Sequence, residues 1–520
     1  MAALRPVPKN SRCRISTRRR KFEDETRTME KQVVSDISSR LPPEMLERVF
    51  SHLDPEDLLT VMLVCKGWNK VAEACPALWS WVEITPQPRL NLINLKRLQG
   101  AREIDISNDY FFPKGSWRKL LRAILKHPGL KKINLWIEFE NLEDAESELL
   151  AKVFAKMEEI EIYNGELAKY VAEAVLQRPN NLKRLLLENT SPEGSLDPVL
   201  FTMLNKFEVL EVALNEEQAN LLLKMMREES SVKSLTLLGH QEFSKLEPTS
   251  FFAAFDKLKE LSLANNVERD NVPKTTLCEA VAAGTNLKKL NLPSHLFEVD
   301  DHLVGRMATQ MATQLEHLHI NGNERQPMKD QIGIIVEAIA NTEAGTLKKL
   351  GLNKIDFSLV DCGVLARMAT QVGELDLDSR LLSNQVKAIF EAIAAGPGKL
   401  KELIIPIGLD AVDADVLAVA VNKLKVFCNG MASWHGIHLS SHHIEKILSR
   451  ALERTSLRDL WIKGEKRKLD PNLISKAKEI IPSVYIHSDD CNCHSDSDWT
   501  DSSDSELGSD SESDSESESD

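Results

Sequence analysis

The sequence predicts an α/β chain in which a small three-helix module precedes a solenoid, with parallel strands on a concave face, helices on a convex face, and disordered termini. Three observations predict it. A template with apolar residues at its first, fourth and sixth places recurs from residue 101 onward at steps of 24 to 33 residues. The intervals between copies carry apolar residues at helical spacing. Residues 41–84 hold three amphipathic stripes separated by their own start and stop signals. A chain of 520 residues has room for about three domains, or fewer if one is a repeat array.

The helical module is justified residue by residue. In LPPEMLERVFSHL, Leu46, Val49, Phe50 and Leu53 fall at i, i+3, i+4 and i+7, one face of a helix, and Pro43 suits a first turn that needs no N–H there. Asp54 stands ahead of Pro55, Glu56 and Asp57, the order of a helix N-terminus, so a second helix carries Leu58, Leu59, Met62 and Leu63. After Val64 and Cys65, a third places Trp68, Val71, Ala72 and Cys75 on one stripe until Pro76 ends it. Leu78, Trp79, Ser80 and Trp81 are expected to lead out in extended form.

The anchors Leu41-Pro42, Glu44, Val49-Phe50, Leu53, Asp57-Leu58, Val64-Cys65, Trp68 and Leu78-Trp79 closely resemble an F-box, the module by which SCF-type ubiquitin ligases hold their substrate receptors. The resemblance spans 39 residues and implies an F-box at 36–84 that docks on the Skp adaptor and, through it, on a cullin-RING ligase. It implies adaptor contacts from Leu41, Pro42, Leu46, Val49, Phe50, Leu53, Leu58, Val64, Cys65, Trp68, Leu78 and Trp79. Some of these must instead form the module's own core.

Repeats occupy the expected second domain, 85–487. Clear copies of the template include Leu130/Ile133/Leu135, Met157/Ile160/Ile162, Leu182/Leu185/Leu187, Leu315/Leu318/Ile320 and Leu457/Leu460/Ile462. With weaker copies at Ala101/Ile104/Ile106 and Leu424/Phe427 they make about fourteen units. Helical intervals read AKYVAEAVLQ, ANLLLKMMREE, TTLCEAVAAG, QIGIIVEAIAN and NQVKAIFEAIAAG. The pattern resembles the longer leucine-rich repeats of the ribonuclease-inhibitor type. It departs from F-box relatives whose repeats carry a regular cysteine, because Cys278, Cys362 and Cys428 share no register. Each unit buries its leucines only against its neighbours, so the ends need caps. Trp79 and Trp81 are expected to supply one and PNLISKAKEIIPSVYI the other, with the folded body ending near Ile486.

The termini read differently. Residues 1–35 carry ten Lys/Arg against four Asp/Glu and no hydrophobic period, a disordered basic arm with the run Arg18-Arg19-Arg20-Lys21. Residues 488–520 carry thirteen acids, twelve serines and no Lys/Arg, so this tail holds −13 of the chain's −14. Ser503, Ser509, Ser511, Ser513, Ser515 and Ser517 each precede an acid by three positions, which resembles substrates of acid-directed kinases. Such a polyanion suits basic proteins and argues against direct nucleic-acid binding. No apolar run spans a membrane and the basic start has no apolar core behind it, so a cytoplasmic or nuclear protein with free thiols is expected.

No phosphate-cradling, nucleophile-elbow or zinc-protease motif occurs, so no catalytic residue and no cofactor is expected. His435, His438, His442 and His443, with Cys491, Cys493 and His494 further on, lack the paired-cysteine spacing of a zinc site, and no metal is expected. The leading expectation is a non-catalytic substrate-recognition subunit of an SCF-type ubiquitin ligase. Residues two, four and six places after the first anchor of a strand point to the concave face. They nominate Lys132, Trp136, Glu159, Tyr163, Arg184, His317, His319 and Trp461 for the target protein. Two alternatives share the repeats and acidic tail: a scaffold binding basic proteins such as histones, and a Ran-type GTPase activator.

Overall fold

A computed structural model of the chain describes residues 41–487, apart from 54, 80, 85–100, 108–115, 137–143, 164–166, 168–169, 172–181, 189–205, 215, 239–251, 253, 264–273, 284–285, 323–329, 343–344, 410, 430–438, 454 and 465–467. The basic arm, the acidic tail, His435, His438 and most of the interval AKYVAEAVLQ lie outside the described residues.

The module contains α1 (Pro43–Phe50), α2 (Pro55–Val64) and α3 (Lys66–Ala74). Pro43 occupies the first turn of α1 as its fixed φ favours. Leu46, Phe50, Leu58, Met62 and Ala72 are buried together, and the Phe50 ring meets Trp68 edge-on at 5.5 Å and 67°. The Cys75 thiol donates to the Glu47 carboxylate at 2.6 Å, which ties the end of α3 to α1. One expectation is corrected: Leu78 and Trp79 do not run extended but close a 3-10 turn, Pro76–Trp79. The turn buries both side chains and brings Trp79 Nε1 within 2.7 Å of the Ala72 carbonyl it donates to. An extended course would leave a large apolar ring in water and its N–H without this acceptor.

The strands are β1 (Trp81–Ile84), β2 (Glu103–Ser107), β3 (Lys132–Trp136), β4 (Glu159–Ile162), β5 (Arg184–Leu187), β6 (Val209–Ala213), β7 (Ser234–Leu238) and β8 (Glu260–Leu263). They continue as β9 (Lys289–Pro293), β10 (His317–Asn321), β11 (Lys349–Asn353), β12 (Glu374–Asp376), β13 (Glu402–Ile404), β14 (Val426–Cys428), β15 (Asp459–Lys463) and β16 (Ser483–His487). Among the described residues these sixteen form one open sheet in sequence order, every pairing that is described being parallel. Each strand is thus the next rung of a solenoid. The two strands beyond the expected fourteen units are β1 and β16, at the places where caps were anticipated. Each end adds a further strand in the same register, Trp81 opposite Glu103 at one end and Tyr485 opposite Trp461 at the other.

The template residues face inward. Leu130, Ile133 and Leu135, like Leu315, Leu318 and Ile320, are buried in one continuous apolar core. Four described intervals are helical as expected, over Glu216–Glu229, Lys274–Ala282, Asp330–Ala340 and Ser383–Ala395. Aspartates start several helices: Asp300 accepts from the His302 and Leu303 N–H groups at 2.9 and 3.3 Å, and Asp413 from Asp415 and Val416 at 2.9 and 3.1 Å. Such caps contribute about 1 kcal/mol each. Buried amides bracket the loops: Gln385 Nε2 donates to the Phe357 and Val360 carbonyls, both at 2.7 Å, and Asn429 Nδ2 to those of Ile405 and Ile407 at 2.7 and 2.9 Å.

Candidate functional site

Two surfaces emerge, one on the module and one on the outward face of the sheet. On the module, the residues nominated for the adaptor divide by burial. Leu46, Phe50, Leu58, Leu78 and Trp79 lie in its core, where the module's own packing uses their faces. Leu53, Cys65 and Trp68 are half-buried. The Cys65 sulfur accepts from the Trp68 N–H at 3.4 Å and so starts α3. Leu41, Pro42, Val49 and Val64 remain exposed. Met45 and Leu63, which sequence reasoning missed, join them at 48% and 86% exposure beside Val49 at 52%. Met45 stands one turn before Val49, an i, i+4 relation visible in the sequence; it was passed over because the stripe through Leu46 and Phe50 was taken as the contact face.

On β2 to β6, the positions two and four places after the first anchor alternate in charge from strand to strand. Lys132 Nζ lies 2.7 Å from Glu103 and 3.2 Å from Glu161, and Arg184 lies 3.2 Å from Glu161 and 2.7 Å from Glu211. Glu103, Lys132, Glu161, Arg184 and Glu211 therefore run as one chain of ion pairs across β2 to β6. Glu161 is almost fully buried at its centre, where two cations and low solvent exposure make each pair stronger than a surface one. Lys132 and Arg184 are both held above their ordinary pKa values; burial opposes this, and hydrogen bonds to the neighbouring carboxylates outweigh it.

At the end of this network Trp136 and Tyr163 stack, with centroids 3.4 Å apart and rings 13° from parallel. The Tyr163 N–H donates to the Leu135 carbonyl at 3.0 Å and so carries the β3–β4 ladder one residue beyond β4. Trp136 stays 49% exposed. The sheet register thus brings Lys132, Trp136, Glu159, Tyr163 and Arg184 together.

His317 and His319 lie elsewhere, at a hollow of about 340 Å³ over β7 to β12. Ser234, Thr236, Ser262 and Gly351 line it with small side chains, and Lys289, Lys349 and Asp376 add charge. His319 Nε2 is 2.9 Å from Asn353 Nδ2, and burial pushes the imidazole below its ordinary pKa despite Asp376. Burial likewise pushes the Asp376 carboxyl up. Trp461 is on β15, five strands beyond β10 in sheet order, and does not join the hollow. It stacks on Tyr485 at 4.1 Å and 23°. Tyr485 was missed because its segment was taken as a cap, although Ile481/Val484/Ile486 has the template's spacing and puts Tyr485 at the outward place of Trp461.

Among the described residues no group of three or more His, Cys, Asp or Glu is placed to hold a metal ion. His443 instead approaches Ser440 Oγ at 2.6 Å and the Val412 carbonyl at 3.0 Å. No helix among the described residues is long and apolar enough to cross a membrane.

Residues 38–85 match a family model described as F-box-like, and the repeat sheet extends beyond them. Among solved structures, the crystal structure of the Rad7 and Elc1 complex in yeast matches with 10% identity and a TM-score of 0.40, covering 93% of this chain and 98% of that one. No curated protein matches the chain.

Proposed function

We propose that this chain is the substrate receptor of an SCF-type ubiquitin ligase, contributing no chemistry of its own. The F-box-like domain docks on a Skp-type adaptor, through it on a cullin-RING ligase, and the outward sheet face holds the target protein. Receptor and target thereby share one assembly, and a substrate lysine samples the charged conjugating enzyme at high effective concentration. The work is done in the cytoplasm or nucleus. The observation that carries the reading is the exposure of Met45, Val49, Leu63 and Val64 on a domain of only three short helices that match the F-box-like model. A small domain gains nothing in stability from such residues in water, whereas an adaptor surface would bury them.

The test is co-purification of a Skp-type adaptor with the full chain and with Val49→Asp/Leu63→Asp. We expect the adaptor to be lost from the variant while circular dichroism and melting are unchanged, since both side chains already face solvent. Undiminished capture would refute the docking surface.

A further inference from the structure

We propose that the Trp136–Tyr163 stack is a docking platform for an arginine- or lysine-bearing segment of the target protein, its cation lying over the exposed indole. The proposal rests on the reading of the sheet face as the target-holding surface and names the chemistry that surface takes.

Three features of the platform agree. Trp136 combines large exposure with a ring held flat against Tyr163, so its orientation is fixed before a partner arrives. On the β2 side its register partner is Ser107. An indole face is the best aromatic acceptor for a guanidinium or ammonium group. The outward positions of β2 to β6, with Glu188 just beyond β5, carry six carboxylates (Glu103, Asp105, Glu159, Glu161, Glu188, Glu211) against two cations, Lys132 and Arg184, a net −4.

The aromatic hydroxyl senses that excess. Tyr163 is held above its ordinary pKa first by burial and then by Glu161, Glu188, Asp105 and Glu211. Glu188, directly after β5, has no ion-pair partner among the described residues. Asn134, two residues before Trp136 on the same face, is 6% exposed, and its Oδ1 accepts no hydrogen bond among the described residues. Carboxylates and an amide oxygen are acceptors only, so what the region lacks is donors, and arginine and lysine side chains supply donors and positive charge together.

The second aromatic stack is a built-in contrast. Around Trp461 and Tyr485 the outward positions of β13 to β16 carry Glu402 and Asp459 against Lys463, a net −1. Both ends carry one Trp and one Tyr, whereas the carboxylate excess is larger at Trp136, so the field favours a cation more strongly there.

The experiment uses the full chain and a fluorescein-labelled peptide of alternating arginine and serine, read by anisotropy, beside the same peptide with citrulline in place of arginine. Citrulline keeps the shape and removes the charge. The acidic tail also attracts the arginine peptide, so the reading is the change each substitution makes. Trp136→Ala is expected to weaken the arginine peptide on the order of tenfold. Trp136→Phe should retain most of the affinity, Glu188→Gln should weaken it to a lesser degree, and Trp461→Ala should leave it unchanged.

The citrulline peptide should be indifferent to Trp136→Ala. Equal loss for both peptides, no loss with Trp136→Ala, or an equal loss with Trp461→Ala would overturn the proposal. Binding that appears only after removal of residues 1–35 would also overturn it, by making this chain's own basic arm the occupant. No adaptor takes part in this measurement, so its failure is separate from a failure of adaptor capture by the Val49/Leu63 variant.

Discussion

Gly351→Ala tests how closely the strands approach at the centre of the sheet. A Cβ at Gly351 would lie 2.5 Å from His319 Cδ2, 3.0 Å from Nε2 and 3.1 Å from Cγ, so the imidazole must move. Gly351 and His319 are register partners on β11 and β10, and the ring is held by Asn353 at 2.9 Å. Overpacking costs about 1–3 kcal/mol and the broken hydrogen bond about 1 kcal/mol, so a local loss of roughly 2–4 kcal/mol is expected. A repeat array opens in local units, which makes hydrogen exchange of the β10 and β11 amides the appropriate assay. Exchange there should accelerate about 30-fold or more, with β2 to β5 little changed. In a His319→Ala background the same substitution should instead be neutral or stabilising by about 0.5–1 kcal/mol, because glycine in a strand interior is the more costly residue once the ring is gone. Equal cost in both backgrounds would refute the argument.

Other substitutions separate core from surface. Phe50→Ala should cost about 3–5 kcal/mol and dissolve the helical module, seen as lost helical ellipticity together with lost adaptor capture, while Val49→Ala should stay within about 0.5 kcal/mol. Asp376→Asn should raise stability at pH 7.5. Burial lifts the folded-state pKa of Asp376 above the unfolded value, so stability present below the unfolded pKa is lost as pH rises through the folded one, and the asparagine escapes that loss. Melting curves of variant and wild type should therefore converge near pH 4; an equal gain at both pH values contradicts the assignment. Cys278 is buried, with its thiol pKa pushed up to about 12 by burial and then by Glu279. Its alkylation at pH 8 should follow unfolding, and reaction at the rate of an exposed thiol would disprove its burial.

Sequence alone determined the periodic part of this protein. A leucine template repeated every few dozen residues can bury itself only by stacking units in order, so strand order, parallel pairing and the inward set Leu130, Ile133 and Leu135 follow from the spacing. The outward set, Lys132, Asn134 and Trp136, follows from strand alternation.

Lateral relations were settled only by tertiary structure. Leu46, Phe50 and Val49 share an apolar stripe in the sequence, yet with α3 packed on α1 the first two are buried and Val49 is left in solvent. Trp136 and Tyr163 were legible as neighbours, but the 3.4 Å stack requires the ladder to continue one residue past β4. β1 and β16 carry the same apolar spacing without leucine, Trp79/Val82/Ile84 and Ile481/Val484/Ile486, and only their pairing with β2 and β15 shows that they are rungs of the same sheet. The hollow at Gly351 belongs to the same class: a methyl group absent from one strand matters only because register sets His319 beside it.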